Sequence, residues 1–74
     1  MAPSEHELIR ASRALATARG WTWLEPVHVR RFRDGFFGPR RWEVLSNASA
    51  RGCNVRVVFD DESGALVGAS FLPR

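Results

Sequence analysis

From residue 54 to residue 60 the chain alternates, with Val55, Val57 and Phe59 separated by Asn54, Arg56 and Val58. A period of two among β-branched and aromatic residues belongs to a strand with one buried face. Asp60-Asp61-Glu62-Ser63-Gly64 follows and predicts a type I turn closed by Gly64 at positive φ. Beyond it Val67, Ala69 and Phe71 alternate with Leu66, Gly68 and Ser70, so 54–60 and 65–72 are expected to pair as a hairpin. Upstream, Trp42 and Val44 share one parity and Glu43 and Leu45 the other, which predicts a strand over 41–46. The small, polar run 47–52 is the turn between these strands. Residues 27–32 alternate only partly and predict a first, irregular strand. Asp34-Gly35 and Gly38-Pro39 are turn signals a few residues apart, so 33–40 reads as a loop that carries Phe36 and Phe37.

At the N-terminus the period changes. Leu8, Ala11, Ser12, Leu15 and Ala18 fall on one stripe at helical spacing, widened by Ile9 and Ala16. Ser4-Glu5-His6-Glu7 reads as a capping box, with Ser4 as N-cap and Glu7 reaching back. Arg19 complements the dipole at the far end and Gly20 suits the position after the helix. A helix is therefore expected over 5–19, with Trp21 and Trp23 tucked under its end. The elements add up to an α+β domain spanning 1–74, an N-terminal helix packed on one face of a three- to four-stranded antiparallel meander. Parity assigns Trp42, Val44, Val55, Val57, Phe59, Val67, Ala69 and Phe71 to the face beneath the helix. It leaves Leu45, Val58 and Leu66 on the other face, beside Glu43 and Arg56.

The run from Ala14 to Ala18 before Gly20, then Trp42-x-Val44, Val55-x-Val57-x-Phe59-Asp60 and Ser63-Gly64-x-Leu66, resembles PepSY-like and other small cystatin-like domains. Those domains pair a helix with an antiparallel meander and often end in a V-x-V-D-x-x-T-G-x-V-L hairpin. The resemblance covers roughly 8–71 and implies a binding or inhibitory module without catalytic residues. The Arg- and Phe-rich segment 30–42 is not part of that pattern, and the family is typically exported or membrane-attached.

Composition narrows the picture. An apolar fraction of 45% with three Trp and five Phe is that of a folded chain, although a domain this short buries only about 60% of its unfolded surface. All eleven basic residues are Arg and there is no Tyr, which lifts the pI to about 11 while the net charge is only +3. The single cysteine, Cys53, cannot form an internal disulfide, which favours a reducing compartment. Glu5 and Glu7 stand where a signal peptide needs basic residues, and no run approaches the ~18 apolar residues of a membrane span. A cytoplasmic setting with no membrane partner is expected.

Candidate chemistry is sparse. His6, His28 and Cys53 have no neighbour at metal-ligand spacing, and the acidic turn lacks the alternating oxygen ligands of a calcium loop. No nucleophile elbow, P-loop or dinucleotide fingerprint occurs. No metal, no cofactor and no enzymatic activity are expected. Two binding surfaces remain. The first is Leu45, Val58 and Leu66, or an edge strand, meeting a protein partner or a second copy of the chain. The second is Arg30, Arg31, Arg33, Arg40 and Arg41, interleaved with Phe32, Phe36, Phe37 and Trp42, a pattern suited to nucleic acid or another anion. The structural alternative for that cluster is pairing of its arginines with Glu25, Asp34 and Glu43 while the Phe rings cover a sheet end.

Overall fold

A computed structural model describes residues 4–33 and 35–73. Helix α1 runs over Glu5–Ala18 and is followed by strands β1 (His28–Arg33), β2 (Arg40–Leu45), β3 (Asn54–Asp60) and β4 (Leu66–Leu72). The strands form one antiparallel sheet in the order β1-β2-β3-β4. This is the expected α+β arrangement with all four strands present, displaced from the predicted bounds by one residue at most strand ends.

Local chemistry sets the helix bounds. The Ser4 hydroxyl accepts from the Glu7 N–H at 3.2 Å, and the Glu7 carboxylate accepts back from the Ser4 N–H at 3.4 Å. At the other end Trp21 N–H donates to Ala16 O at 2.8 Å and Gly20 N–H to Thr17 O at 3.2 Å, with Gly20 at φ +71°. That pair of bonds closes the helix one residue earlier than predicted, with Arg19 as its C-cap.

The buried row of α1 is Leu8, Ser12 and Ala16, spaced by four, whereas Ala11 and Ala18 are exposed. The stripe predicted from sequence is thus rotated. The reason is close approach: Ser12 and Ala16 are small and fully buried, so α1 lies down against β2 and β3. Ser12 satisfies its hydroxyl within the helix, donating to Leu8 O at 2.7 Å.

Beneath the helix, Val29, Val44, Val57 and Ala69 make a row across all four strands. Leu8, Ala16, Val44, Val55, Val57 and Phe59 form the core, ringed by Ile9, Leu15, Trp21, Trp23, Val27, Val29, Trp42, Ala69 and Phe71. Trp21 stacks on Phe71 with centroids 5.9 Å apart, as expected of a tryptophan under the helix end.

The β2–β3 connection is held by Asn54, whose amide nitrogen donates to the carbonyls of Ser46 (2.9 Å), Asn47 (3.0 Å) and Ala50 (3.3 Å). At the acidic turn Asp60 accepts from the Ser63 N–H at 2.9 Å and the Ser63 hydroxyl at 3.0 Å, and Gly64 closes the turn at φ +74°.

One irregularity changes the faces of the sheet. Val58 pairs with Gly68 but Phe59 pairs with Leu66, so Val67 is an extra residue in β4, a β-bulge. Leu66 therefore shares the parity of Phe59, on the helix side. Val67 lines a depression on the opposite side with Val58 and Phe32. The assignment of Val67 to the helix face and Leu66 to the open face is corrected by this bulge. No helix among the described residues is long and apolar enough to cross a membrane.

Candidate functional site

The β1–β2 hairpin carries the arginine cluster. Alternation along β1 and β2 divides it between the two sides of the sheet: Arg31, Arg33, Arg40 and Trp42 have the parity of the helix face, and Arg30, Phe32 and Arg41 that of the open face. The described residues of α1 contact β2 and β3.

At the last rung before the loop, Arg33 stands directly opposite Arg40. Like charges at directly opposed sites oppose strand pairing. Together with Arg31 and Phe32 they line a depression of about 370 Å³. In the loop beyond, Phe36 and Phe37 are 86% and 90% exposed, and their rings meet edge to face with centroids 4.8 Å apart. The Phe rings touch each other and do not cover the sheet end.

Other arginines of the cluster are engaged. Arg31 Nη2 donates to Asp61 Oδ2 at 2.8 Å, and Arg31 Cζ lies 5.1 Å from the Trp42 ring centroid. Trp42 Nε1 and Asp61 Oδ1, in the same neighbourhood, are buried without a hydrogen-bond partner among the described residues. Arg30 Cζ lies 5.2 Å from the Phe32 centroid, and its Nε donates to Glu43 Oε1 at 2.8 Å. The pairing anticipated between Arg30–Arg41 arginines and Glu43 is present for Arg30; that anticipated with Asp34 falls outside the described residues.

Glu43 has a second partner that sequence reading missed. Arg56, from β3, donates its Nε to Glu43 Oε2. Only the register, which places Arg56 diagonally from Glu43 on the open face, could reveal it. Burial pushes the Glu43 carboxyl up, but hydrogen bonds and charges from Arg30 and Arg56 outweigh it and hold the group below the usual carboxylate range. The same bond raises the Arg30 guanidinium.

The apolar trio expected on the open face is not assembled there. Val58 is only 7% exposed, at the floor of a depression of about 390 Å³ walled by Phe32, Arg41, Arg56, Val67 and Ser70. Arginine stems cover apolar surface while keeping the charged ends in water, and Val58 is shielded in this way without a helix. Leu45 is half-buried, and Leu66, 49% exposed, has moved to the other parity with the bulge.

His6 and His28 are exposed and Cys53 is half-buried. Among the described residues no group of three His, Cys, Asp or Glu could hold a metal ion. Comparison with protein-family models, curated proteins and solved structures found no match to this chain.

Proposed function

We propose that this domain binds single-stranded nucleic acid through the β1–β2 hairpin. The observation that carries the reading is the Arg33–Arg40 rung beneath the exposed Phe36–Phe37 pair. Each feature costs the isolated domain stability. Opposed guanidiniums repel, and leaving a Phe side chain in water forfeits about 1.5–3 kcal/mol relative to burial. A phosphate chain lowers the first cost and stacked bases lower the second.

The charge distribution favours the same ligand. Residues 30–41 hold five of the eleven arginines but only one of the eight acidic residues, so the modest net charge of +3 conceals a concentrated basic segment. Arginines continue from the tip onto the open face through Arg30, Arg41 and Arg56, a path suited to an extended polyanion. A lipid surface would meet only the tip.

Fluorescence anisotropy with a labelled single-stranded oligonucleotide tests the reading. Binding should weaken with salt, by about 0.7 logarithmic units per unit of log salt for each phosphate contacted, and fall in a Phe36→Ala/Phe37→Ala variant. Binding to anionic vesicles with no response to oligonucleotide would overturn it.

A second reading, as a protein-binding module, rests on β4. This edge strand has no charged residue, and Leu66, Val67 and Leu72 are 49%, 47% and 59% exposed, whereas the opposite edge, β1, carries three arginines. Charge on an edge deters strand addition and its absence permits it. The bulge at Val67 and Pro73 confine such pairing to 68–72, and a second copy of this uncharged strand is a fitting occupant. A binding role of either kind is in keeping with the resemblance to PepSY-like and cystatin-like domains. Sedimentation at rising concentration tests the dimer.

A further inference from the structure

Strand β4 ends the sheet, and no strand among the described residues pairs with its outer edge. Which of its backbone groups point outward follows from the register. Asp60 N–H donates to Ala65 O at 2.8 Å on the β4 side of β3, and Ser46 N–H donates to Val55 O at 3.0 Å on the β2 side. In an antiparallel ladder the bonding direction alternates from one residue to the next. Asn54, Arg56 and Val58 therefore bond toward β4, and their partners Leu72, Ser70 and Gly68 bond back. Ala69 and Phe71 are left with their N–H and C=O directed at the free edge.

Two features bound the usable edge. The bulge at Val67 interrupts it at one end, and at the other Pro73 has no N–H to give. The stretch 68–72 between them is centred on Ser70 and holds no charged residue. The opposite edge, β1, carries three arginines, so a second copy adding there meets like charge, whereas one adding at β4 does not.

We infer that β4 pairs antiparallel with β4 of a second copy about a two-fold axis at Ser70. This rests on the second reading above and adds its register. With the axis at Ser70, Ala69 of each copy exchanges both backbone bonds with Phe71 of the other, so every outward group of 68–72 is used. An axis at residue 69 would set Phe71 against the bulge, and one at residue 71 would set Ala69 against Pro73. Side chains agree with this choice. On the open face Leu72, 59% exposed, falls opposite Gly68 of the other copy, where a Cβ would meet nothing within 4 Å. On the helix face the small Ala69 lies beside Phe71. A large side chain thus faces a small one at each pair off the axis, a match that a second copy supplies by symmetry.

The product is one continuous sheet with both helices on the same side and the two β1–β2 hairpins at its outer ends. Each copy contributes one short segment, fewer than the about 20–30 residues a side of a standard interface, so the dimer is weak and forms at raised concentration. Each copy also carries a net charge of +3, so salt should strengthen the dimer, the reverse of its effect on oligonucleotide binding.

Sedimentation of the full chain up to about 1 mM should show a monomer–dimer equilibrium. Ser70 is exposed, so charge can be placed there without disturbing the core. Ser70→Glu and Ser70→Arg each set like charges across the axis and should dimerise several-fold more weakly. An equimolar mixture of the two sets opposite charges there and should recover the association.

Disulfide trapping reads the register and covers the case in which a charged variant fails to fold. In a Cys53→Ser background, with copper phenanthroline as oxidant, Ser70→Cys should cross-link to itself and Gly68→Cys only to Leu72→Cys. Cross-linking of Ser70→Cys to Gly68→Cys or to Leu72→Cys instead would keep a β4 dimer and overturn this register. A dimer that none of the three cysteines traps, or that folded Ser70→Glu and Ser70→Arg form undiminished, lies elsewhere and overturns the second reading as well. A monomer at about 1 mM that does not cross-link overturns the dimer and leaves β4 to a different strand.

Discussion

Arg31 sits over Trp42, its Cζ 5.1 Å from the ring centroid, while its Nη2 donates to Asp61 at 2.8 Å. The residue thus ties β1 to the β3–β4 turn across β2, the strand between them. It also covers a tryptophan at the end of the core.

Arg31→Ala should therefore lower stability by about 1 kcal/mol, through lost cation–π contact, lost packing on Trp42 and a half-exposed ion pair. Arg31→Lys should recover only part of this, because an ammonium cannot stack as a guanidinium does. Chemical denaturation of the two variants measures the difference. An unchanged midpoint in Arg31→Ala would show that Trp42 does not depend on this cover.

Arg33 should behave in the opposite way. Replacing it with Glu converts the like-charge rung with Arg40 into an attractive one and should raise stability by about 0.5 kcal/mol at low salt. The same variant should bind single-stranded oligonucleotide more weakly and with a shallower salt dependence. A destabilised Arg33→Glu would mean that the rung is not under charge strain. The comparison needs only thermal melts and anisotropy on one protein preparation.

Asn54→Asp should be among the most damaging conservative changes in the chain. The Asn54 amide faces three carbonyl oxygens, those of Ser46, Asn47 and Ala50, and its side chain is buried. A carboxylate would turn three attractions into repulsions, at a cost of at least about 2–3 kcal/mol. Loss of the cooperative melt is the expected outcome, with Asn54→Ala intermediate.

Acid should weaken the fold through Glu43 and Asp60. Burial raises the Glu43 carboxyl, but Arg30 and Arg56 bring it below the ordinary range. The Ser63 N–H, followed by its hydroxyl, does the same for Asp60. A carboxyl with a depressed folded pKa contributes its full stability above the unfolded value, about 4, and loses it as pH falls through the folded value. Melts between about pH 3 and pH 7 should be flat above pH 5 and decline below it, with a shallower decline in Glu43→Gln. A Glu43→Gln variant with the same acid slope would place the effect elsewhere.

The arginine-rich hairpin was legible as a candidate from composition alone, because five arginines and four aromatic rings fall within residues 30–42. What each does was not. Arg31 and Arg30 are tied to Asp61 and Glu43, while Arg33 and Arg40 face each other at the last rung. These roles follow from cross-strand register, which places residues 30 positions apart in contact and leaves no local trace. The pairing of Arg56 was missed for the same reason: alternation puts it on the face of Glu43, but only the register makes the two partners.

The chain by itself determined what depends on near neighbours. Ser4 and Glu7 start the helix, Gly20 ends it, alternation marks the strands, and Asp60 to Gly64 make the β3–β4 turn, because caps, periodicity and turn chemistry act within a few residues. The tertiary structure decided which surfaces those elements present. Docking of the helix through Ser12 and Ala16 chose the row that is buried and left Ala11 and Ala18 in water. The bulge at Val67 moved Leu66 off the open face, and the arginines around Val58 shielded a residue that alternation had left exposed. A bulge exists only relative to a partner strand, and shielding only relative to side chains brought in from elsewhere, so neither is written in the period of a single segment.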